Sequence, residues 1–173
     1  MAERTIILGV VSDTHMPRFG KALPVALREG LIRARVDLIV HCGDIVDAMA
    51  LRLFEELAPV QAVAGNNDPP ALVEELGRKK ILQLGSVRIG LVHGDAGIGS
   101  STLARAQNTF RDEPVDAILF GHSHVPHSQH HNGILMFNPG SPTDKRRQPQ
   151  YSYGILQITA HHITPTLHYY PSK

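Results

Sequence analysis

Five short apolar runs along the chain each end in a cluster of Asp, His or Asn residues, and four of the five clusters include a glycine. The clusters are residues 11–15 (VSDTH), 41–44 (HCGD), 65–68 (GNND), 93–95 (HGD) and 121–124 (GHSH). The carboxyl ends of parallel strands open onto one edge of a sheet, where α/β proteins bind their ligands. Each cluster offers an oxygen or imidazole ligand for a divalent cation. The repetition therefore predicts a polynuclear metal site assembled from distant parts of the chain.

The first two-thirds of the chain alternates strand-like and helix-like patterns. Residues 5–11, 37–40 and 59–64 are predicted strands, and residues 21–35 and 47–57 are predicted helices. Asp47 is the expected N-cap of the second helix. The β-α-β-α-β order predicts a parallel sheet with right-handed crossovers and helices on its faces.

The pattern changes after residue 77. Residues 80–84 and 87–92 predict a hairpin with Gly85-Ser86 at its turn, and residues 102–110 predict a helix. Further strands are expected at residues 117–120, 133–137, 153–158 and 163–170. The closing strands predict a second, largely antiparallel sheet packed against the first. We therefore expect an α/β fold, a two-sheet αββα sandwich with flanking helices, as a single domain over residues 1–173.

Composition excludes several classes of protein. Lys and Arg total 17 against 16 Asp and Glu, so the formal charge of +1 provides no field for nucleic acid or an anionic membrane. Cys42 is the one cysteine, which rules out an intrachain disulfide. No apolar stretch approaches the length of a membrane span. The apolar run at residues 5–11 is too short for a secretory leader, and a cytoplasmic location is expected.

The residue types at the clusters indicate the chemistry. Asp13-x-His15 and His122-x-His124 place ligands two residues apart, which in an extended backbone share one face. Imidazoles favour Mn, Fe, Co, Ni or Zn over Ca or Mg. Seven candidate ligands exceed the need of one ion but suit two ions that share a carboxylate. They are Asp13, His15, Asp44, Asn66, His93, His122 and His124.

In this order, the motifs D-x-H, G-D, G-N-x-D, H-G and G-H-x-H resemble the calcineurin-like metallophosphoesterase superfamily. They are most similar to its small single-domain bacterial and archaeal phosphodiesterases. The resemblance runs from Asp13 to about Ser141 and includes the segment 138–142 (NPGSP). It implies a fold of two packed mixed sheets flanked by helices.

The resemblance also implies a ligand set and a reaction. One divalent ion would be held by Asp13, His15, Asp44 and His124, and the other by Asp44, Asn66, His93 and His122. Asp44 would bridge the two ions, and a metal-bridging hydroxide would attack a small phosphodiester substrate. The catalytic residues would be Asn66, Asp44 and His93. Mn²⁺ is the expected activator, with Ni²⁺, Fe²⁺, Zn²⁺, Co²⁺ or Mg²⁺ as alternatives.

This chain departs from the family pattern at Asn67, where many members have a histidine proposed to donate a proton. An asparagine amide can only hydrogen-bond near neutral pH. We therefore expect the best substrates to be phosphodiesters with good leaving groups, such as activated aryl esters.

Four residues beside the ligands are expected to support them or to contact substrate: Ser12, His41, Asn67 and Asp68. Asp68 and Asp95 are interpreted as acceptors that orient histidines or as turn residues. His41 is equally well explained as a hydrogen-bonded histidine at a strand end. Cys42 is expected to be a buried, inert side chain.

Two basic segments leave alternatives open. His127, His130 and His131 suggest a third metal, but a solvated polar loop is favoured because no carboxylate accompanies them. The run 145–147 (KRR) is interpreted as solvated surface, with contact to a phosphate as the alternative.

Other functions remain possible for such a chain. A non-catalytic scaffold resembling the small subunit of the retromer coat is one, and a phosphomonoesterase or nucleotidase is another. A nuclease is disfavoured by the short length and the balanced charge. The edges near residues 163–170 suggest a possible homo-oligomer.

Overall fold

The computed structural model describes residues 3–173, so the first two residues of the domain expected over residues 1–173 lie outside the described range. Within this range the chain forms ten strands and four helices. They follow in the order β1 Ile6–Val11, α1 Val25–Ala34, β2 Leu38–His41, α2 Ala48–Glu55, β3 Val60–Ala62, α3 Pro70–Leu76, β4 Lys79–Leu84, β5 Val87–Val92, α4 Thr102–Thr109, β6 Ala117–Leu119, β7 His127–His131, β8 Ile134–Asn138, β9 Tyr151–Thr159 and β10 His162–Tyr170.

The first sheet has the strand order β10-β9-β1-β2-β3. The predicted parallel set β1-β2-β3 is confirmed, with Val10 beside Val40. The two closing strands also belong to this sheet, so the prediction that they build the second sheet was wrong. β9 runs antiparallel along the side of β1 that β2 leaves free, with Leu8 opposite Leu156. This pairing satisfies backbone groups of β1 that an edge strand would leave open.

The second sheet has the order β4-β5-β6-β8-β7 and is mixed. The β4–β5 hairpin is confirmed, and β5, β6 and β8 run parallel. Residues 127–131, expected in a solvated loop, instead form β7, which pairs antiparallel with β8. The turn is Asn132-Gly133, with φ of 53° and 79°. Two-residue hairpin turns require such positive φ values.

The layers form the expected αββα sandwich. A core between the sheets joins side chains of the first sheet such as Leu8 and Val40 to Ile89 and Leu119 of the second. The outer face of the first sheet is covered by α1 and α2. The outer face of the second sheet packs on Ala106 of α4. Among the described residues, no helix has the length and apolarity needed to cross a bilayer.

The helix starts show local sequence control. Asp47 is the N-cap of α2 as predicted, and its carboxylate accepts from the Met49 N–H at 2.8 Å. Helix α1 begins at Val25, later than the predicted start at residue 21, because Pro24 is extended at ψ 139°. A proline also disfavours helical geometry in the residue before it. Leu27 and Leu31 of α1 are buried, whereas Ile32 is 48% exposed.

Candidate metal centre

The five polar clusters meet at one edge of the sandwich, where backbone hydrogen bonds connect their loops. Asp13 N–H donates to the Gly43 carbonyl at 2.9 Å, and His15 N–H donates to the Asp44 carbonyl at 3.1 Å. In the second sheet, Gly121 N–H donates to the His93 carbonyl at 3.0 Å. Both sheets therefore contribute side chains to this edge, whereas the strand ends were predicted at the edge of one parallel sheet.

The backbone at this edge is not extended. Five of the seven candidate ligands have left-handed φ angles of 44–68°: Asp13, His15, Asp44, His122 and His124. Residues other than glycine rarely adopt this conformation, which costs of order 1–3 kcal/mol. The explanation from an extended i, i+2 pattern was therefore wrong. The ligand pairs converge through tight left-handed turns after the strands.

One cluster of buried atoms consists of Asp13, His15 and His124. Asp13 Oδ1 lies 3.4 Å from His124 Nε2 and 3.9 Å from His15 Nε2. The two imidazole rings stack with centroids 5.3 Å apart. All three of these atoms are buried without a hydrogen-bond partner. Such a group of orphaned acceptors fits a divalent cation, which would accept all three lone pairs.

Neighbouring groups orient these atoms. Ser12 Oγ–H and the His122 N–H both donate to Asp13 Oδ2, at 2.7 and 2.9 Å, which leaves Oδ1 for the site. His124 Nδ1 lies 2.5 Å from the Asp144 carbonyl oxygen, to which it donates. That bond sets the tautomer with a free lone pair on Nε2, the arrangement found around metal-bound histidines.

A second cluster consists of Asp13, Asp44 and His93. His93 Nε2 lies 3.3 Å from Asp44 Oδ2 and 3.1 Å from Asn66 Oδ1. Its Nδ1 is 2.8 Å from the Cys42 carbonyl oxygen, which directs Nε2 into the site. The ring of His122 packs edge-on against that of His93, with centroids 5.2 Å apart. His122 thus borders this cluster but belongs to neither tight group of ligand atoms.

The two clusters share Asp13, and Asp44 of the second cluster also lies close to the first. Asp44 Oδ2 is 3.5 Å from His15 Nε2 on one side and 3.3 Å from His93 Nε2 on the other. Asn67 holds this carboxylate through its backbone N–H to Oδ1 at 2.9 Å and its amide Nδ2 to Oδ2 at 2.8 Å. In this structure Asn67 therefore contacts a candidate ligand directly.

The electrostatics of the site favour carboxylates that stay ionised. Burial opposes ionisation of Asp13, but the adjacent His124 and the charge of His93 outweigh it and lower the pKa of the Asp13 carboxyl. The pKa of Asp44 is lowered in the same way, against its burial, by His93 and Asn67. Burial disfavours charge on His93, yet Asp44 and Asp13 raise its pKa to about 9. A proton on His93 thus supplies positive charge that a metal ion would replace.

Asp68 and His41 connect the loops. The Asp68 carboxylate accepts from the N–H groups of Asp44, Val46 and Gly65 at 2.9, 2.6 and 2.7 Å, so it binds backbone amides and not a histidine. His41 Nδ1 accepts from the Gly43 N–H, so its Nε2 donates to Thr14 Oγ1 at 3.0 Å. Burial lowers the pKa of His41 to about 3 and keeps it neutral.

Cys42 and Asp95 are less closely involved. The Cys42 side chain is fully buried, and burial raises the pKa of its thiol, consistent with the expected inert role. Asp95 Oδ2 lies 3.8 Å from Arg78 Nη1.

The segment 138–144 supports the site in a way that the sequence reasoning missed. Ser141 Oγ–H donates to the Asp13 carbonyl at 2.8 Å, and Thr143 Oγ1–H donates to the Thr14 carbonyl at 2.7 Å. Asn138 Nδ2 donates to the Gly121 carbonyl at 3.0 Å. The motif NPGSP in this segment is part of the resemblance to the family, but the resemblance implied no role for its residues.

Two glycines allow the close approach of these loops. A Cβ on Gly65 would collide with the Asp44 carboxylate, and a Cβ on Gly121 would collide with Ser12 Oγ. A larger residue at Gly65 or Gly121 would therefore not fit without displacing these neighbours.

Several known proteins are similar to this chain in sequence or in architecture. A probable metallophosphoesterase from Methanocaldococcus jannaschii is 37% identical over 142 residues, which are 82% of this chain and 71% of that protein. A phosphodiesterase from the same organism is 26% identical over 147 residues, 77% of this chain and 82% of that one. The structure of Vacuolar Protein Sorting 29 from Cryptosporidium parvum superposes with a TM-score of 0.78 at 19% identity, covering 98% of this chain and 99% of the other. The sequence model of the calcineurin-like phosphoesterase superfamily domain matches residues 6–161. With this match over most of its length, the chain belongs to the calcineurin-like phosphoesterase superfamily.

Proposed function

We propose that this protein hydrolyses phosphodiesters with two divalent metal ions, and that residues 1–173 act as one domain. The observation that carries the proposal is the convergence of Asp13 Oδ1, His15 Nε2 and His124 Nε2, all buried without a hydrogen-bond partner. Each unsatisfied buried polar group costs about 1–3 kcal/mol. A bound cation would offset that cost.

The proposed ligand allocation is the one that the family resemblance implies, and it shares Asp44 although the two tight clusters have Asp13 in common. Asp13, His15 and His124 would hold one ion, and His93, Asn66 and His122 the other, with Asp44 shared. Support for the sharing comes from the position of Asp44 Oδ2, within 3.5 Å of an imidazole nitrogen on each side. The mixture of imidazole and carboxylate donors suits Mn²⁺, and also Ni²⁺, Fe²⁺, Zn²⁺ or Co²⁺ more than Mg²⁺.

When bound, the ions supply Lewis acidity toward phosphate oxygens and lower the pKa of water. The chain supplies orientation. Ser12 and the His122 amide hold Asp13, the Cys42 carbonyl holds His93, and Asn67 holds Asp44. Asn66 Oδ1 lies 3.1 Å from His93 Nε2. The N–H groups of the same amide would donate to phosphate oxygens.

Leaving-group chemistry sets the substrate class. Asn67 occupies the family's proton-donor position with a group that has no transferable proton near pH 7. We therefore propose that phosphodiesters with good leaving groups are the best substrates. The relative named as a phosphodiesterase supports diesters over monoesters.

A scaffold is the alternative function of the same fold. A purely structural role gives no use to three buried unpartnered ligand atoms. The polar edge therefore favours a metal-binding protein over a metal-free scaffold, and hydrolysis is what separates an enzyme from a metal-binding scaffold.

The test is hydrolysis by metal-stripped protein after metal is added back. Aryl phosphate mono- and diesters are assayed with Mn²⁺, Ni²⁺, Zn²⁺ or Mg²⁺, beside Asp44→Asn and the surface control Asp112→Asn. We expect diester hydrolysis that requires an added ion. It should be lost in Asp44→Asn and unchanged in Asp112→Asn. Hydrolysis of monoesters only would indicate a phosphomonoesterase. Metal binding without hydrolysis by any ion would refute the enzyme and favour the scaffold.

A further inference from the structure

Two histidines on β7 face each other outside the metal centre. His127 Nε2 and His131 Nε2 are 3.2 Å apart. Their rings stack with centroids 5.4 Å apart and an interplanar angle of 24°. Residues four apart on a strand share a face, so both imidazoles lie on the same side of β7. His130 is exposed and points to the opposite face.

The pair is held in a partly buried setting. The ring of His127 lies 6.3 Å from that of Phe120, on the face of the second sheet where Phe120 and Met136 pack. The β7–β8 register and the two-residue turn fix the strand that carries both histidines. Burial and the neighbouring His131 lower the pKa of His127. Its imidazole is therefore neutral at pH 7, which is the form that binds metal.

The separation of the two nitrogens matches shared coordination. Two imidazoles on one tetrahedral Zn²⁺, with Zn–N bonds of roughly 2.0–2.1 Å, have nitrogens roughly 3.3–3.4 Å apart. Without a cation, one Nε2 donates to the other, and only one nitrogen lone pair is used. With a cation, both Nε2 lone pairs are used: the donor's proton moves from Nε2 to Nδ1, and the acceptor's proton is already on Nδ1.

We propose that His127 and His131 form a second, two-imidazole site for a borderline divalent cation such as Zn²⁺, with water completing the coordination. The pair has no carboxylate, which disfavours Mg²⁺, Ca²⁺ and Mn²⁺ relative to Zn²⁺, Ni²⁺ and Cu²⁺. The site therefore discriminates among ions differently from the carboxylate-rich centre. It also replaces the interpretation of these histidines as a solvated loop.

Zinc stoichiometry tests the site. Wild-type protein saturated with Mn²⁺ is dialysed against Zn²⁺ and assayed for both metals, beside His127→Gln, His131→Gln and the strand-matched control His130→Gln. We expect wild type and His130→Gln to bind one more equivalent of divalent metal than the other two variants. Equal totals in all four proteins would overturn the proposal. The difference does not depend on how many ions the main centre holds.

A spectroscopic measurement on the wild-type protein removes any ambiguity from altered folding. Two-bond ¹H–¹⁵N correlations report the tautomer of each imidazole. Zn²⁺ added to metal-free protein beyond the equivalents that the main centre takes up should move the Nε2 signals of His127 and His131 together to metal-bound values, with Nδ1 protonated. If these two Nε2 signals stay unchanged while other histidines respond, the pair is not a metal site.

Discussion

Asn67 donates two hydrogen bonds to the carboxylate of Asp44, one from its backbone to Oδ1 at 2.9 Å and one from its side chain to Oδ2 at 2.8 Å. Asp44 belongs to one cluster of candidate ligands, and its Oδ2 lies 3.5 Å from His15 Nε2 of the other. Asn67, which departs from the family pattern, thus orients the carboxylate that the two ions would share.

Substitutions at position 67 separate the effect of the hydrogen bond to Asp44 from the effect of the missing proton donor. Asn67→Ala removes the amide bond to Asp44 and should lower activity about tenfold, as loss of a ligand's hydrogen-bond partner typically does. Asn67→His should raise the rate on poor leaving groups relative to good ones, since it restores a proton donor. The measurement is kcat/KM for a series of aryl diesters of graded leaving-group pKa. If the slope against leaving-group pKa is the same in Asn67→His and wild type, proton donation is not what position 67 limits.

The shared position of Asp44 predicts unequal effects of ligand removal. Asp44→Ala should abolish activity and reduce the bound metal by more than one equivalent, because its carboxylate serves both clusters. His15→Ala should retain one ion and a residual rate, because His15 borders one cluster. Metal content by elemental analysis and diester hydrolysis are measured on the same samples. Similar metal content and residual rates in the two variants would argue against a bridging role.

Asp68 should contribute strongly to stability although it is not a proposed ligand. Its carboxylate accepts from the backbone N–H groups of Asp44, Val46 and Gly65. Asp68→Asn places an NH₂ donor against such donors and should lower the free energy of unfolding by about 2 kcal/mol, the range for hydrogen bonds to charged groups. Urea denaturation of metal-free protein measures this, with the exposed Asp112→Asn as control. A change below that of the control would show that these bonds are not stabilising.

His41 should make the metal-free protein acid-sensitive. Its pKa is about 3 when folded, below the ordinary value of 6.5. Between these values the unfolded chain binds a proton that the folded chain excludes, so this stability is complete above pH 6.5 and is lost as pH falls toward 3. At 1.36 kcal/mol per pH unit, about 2 kcal/mol is lost by pH 5.

The comparison is the pH slope of unfolding in wild type and in His41→Gln, both free of metal. The variant should show a shallower slope between pH 6.5 and pH 5, because glutamine does not titrate. Parallel slopes would mean that His41 is protonated in the folded protein.

Much of the fold was predictable because its signals are local. Apolar periodicity located β1, β2 and the β4–β5 hairpin, and Asp47 marked the start of α2. The placement of β9 beside β1 was missed, because that pairing joins residues about 150 apart and no short pattern encodes the partner. Strand β7 was missed because an edge strand of polar residues has the composition of a loop. Cytoplasmic location and a homo-oligomer stay predictions.

The candidate ligands were predictable for a different reason. Their side-chain types are themselves the chemistry, so Asp13, Asp44 and His93 could be identified before their positions were known. Ser141 and Thr143 were missed because they act on backbone carbonyls, and a serine or threonine in a loop has many ordinary roles. The left-handed φ angles were missed because the residues there are not glycines.

Those left-handed turns bear on any attempt to transplant the centre. A graft that copied the seven side chains onto the strand ends of another α/β sandwich would place them on ordinary backbone, and their Cα–Cβ vectors would diverge. Five of the seven depend on a chain direction that few residues accept unaided. A working transplant therefore needs the whole set of loops, with their glycines and with the hydrogen bonds that Asp68 and Ser141 make to the loop backbone. The seven ligands alone would not reproduce the site.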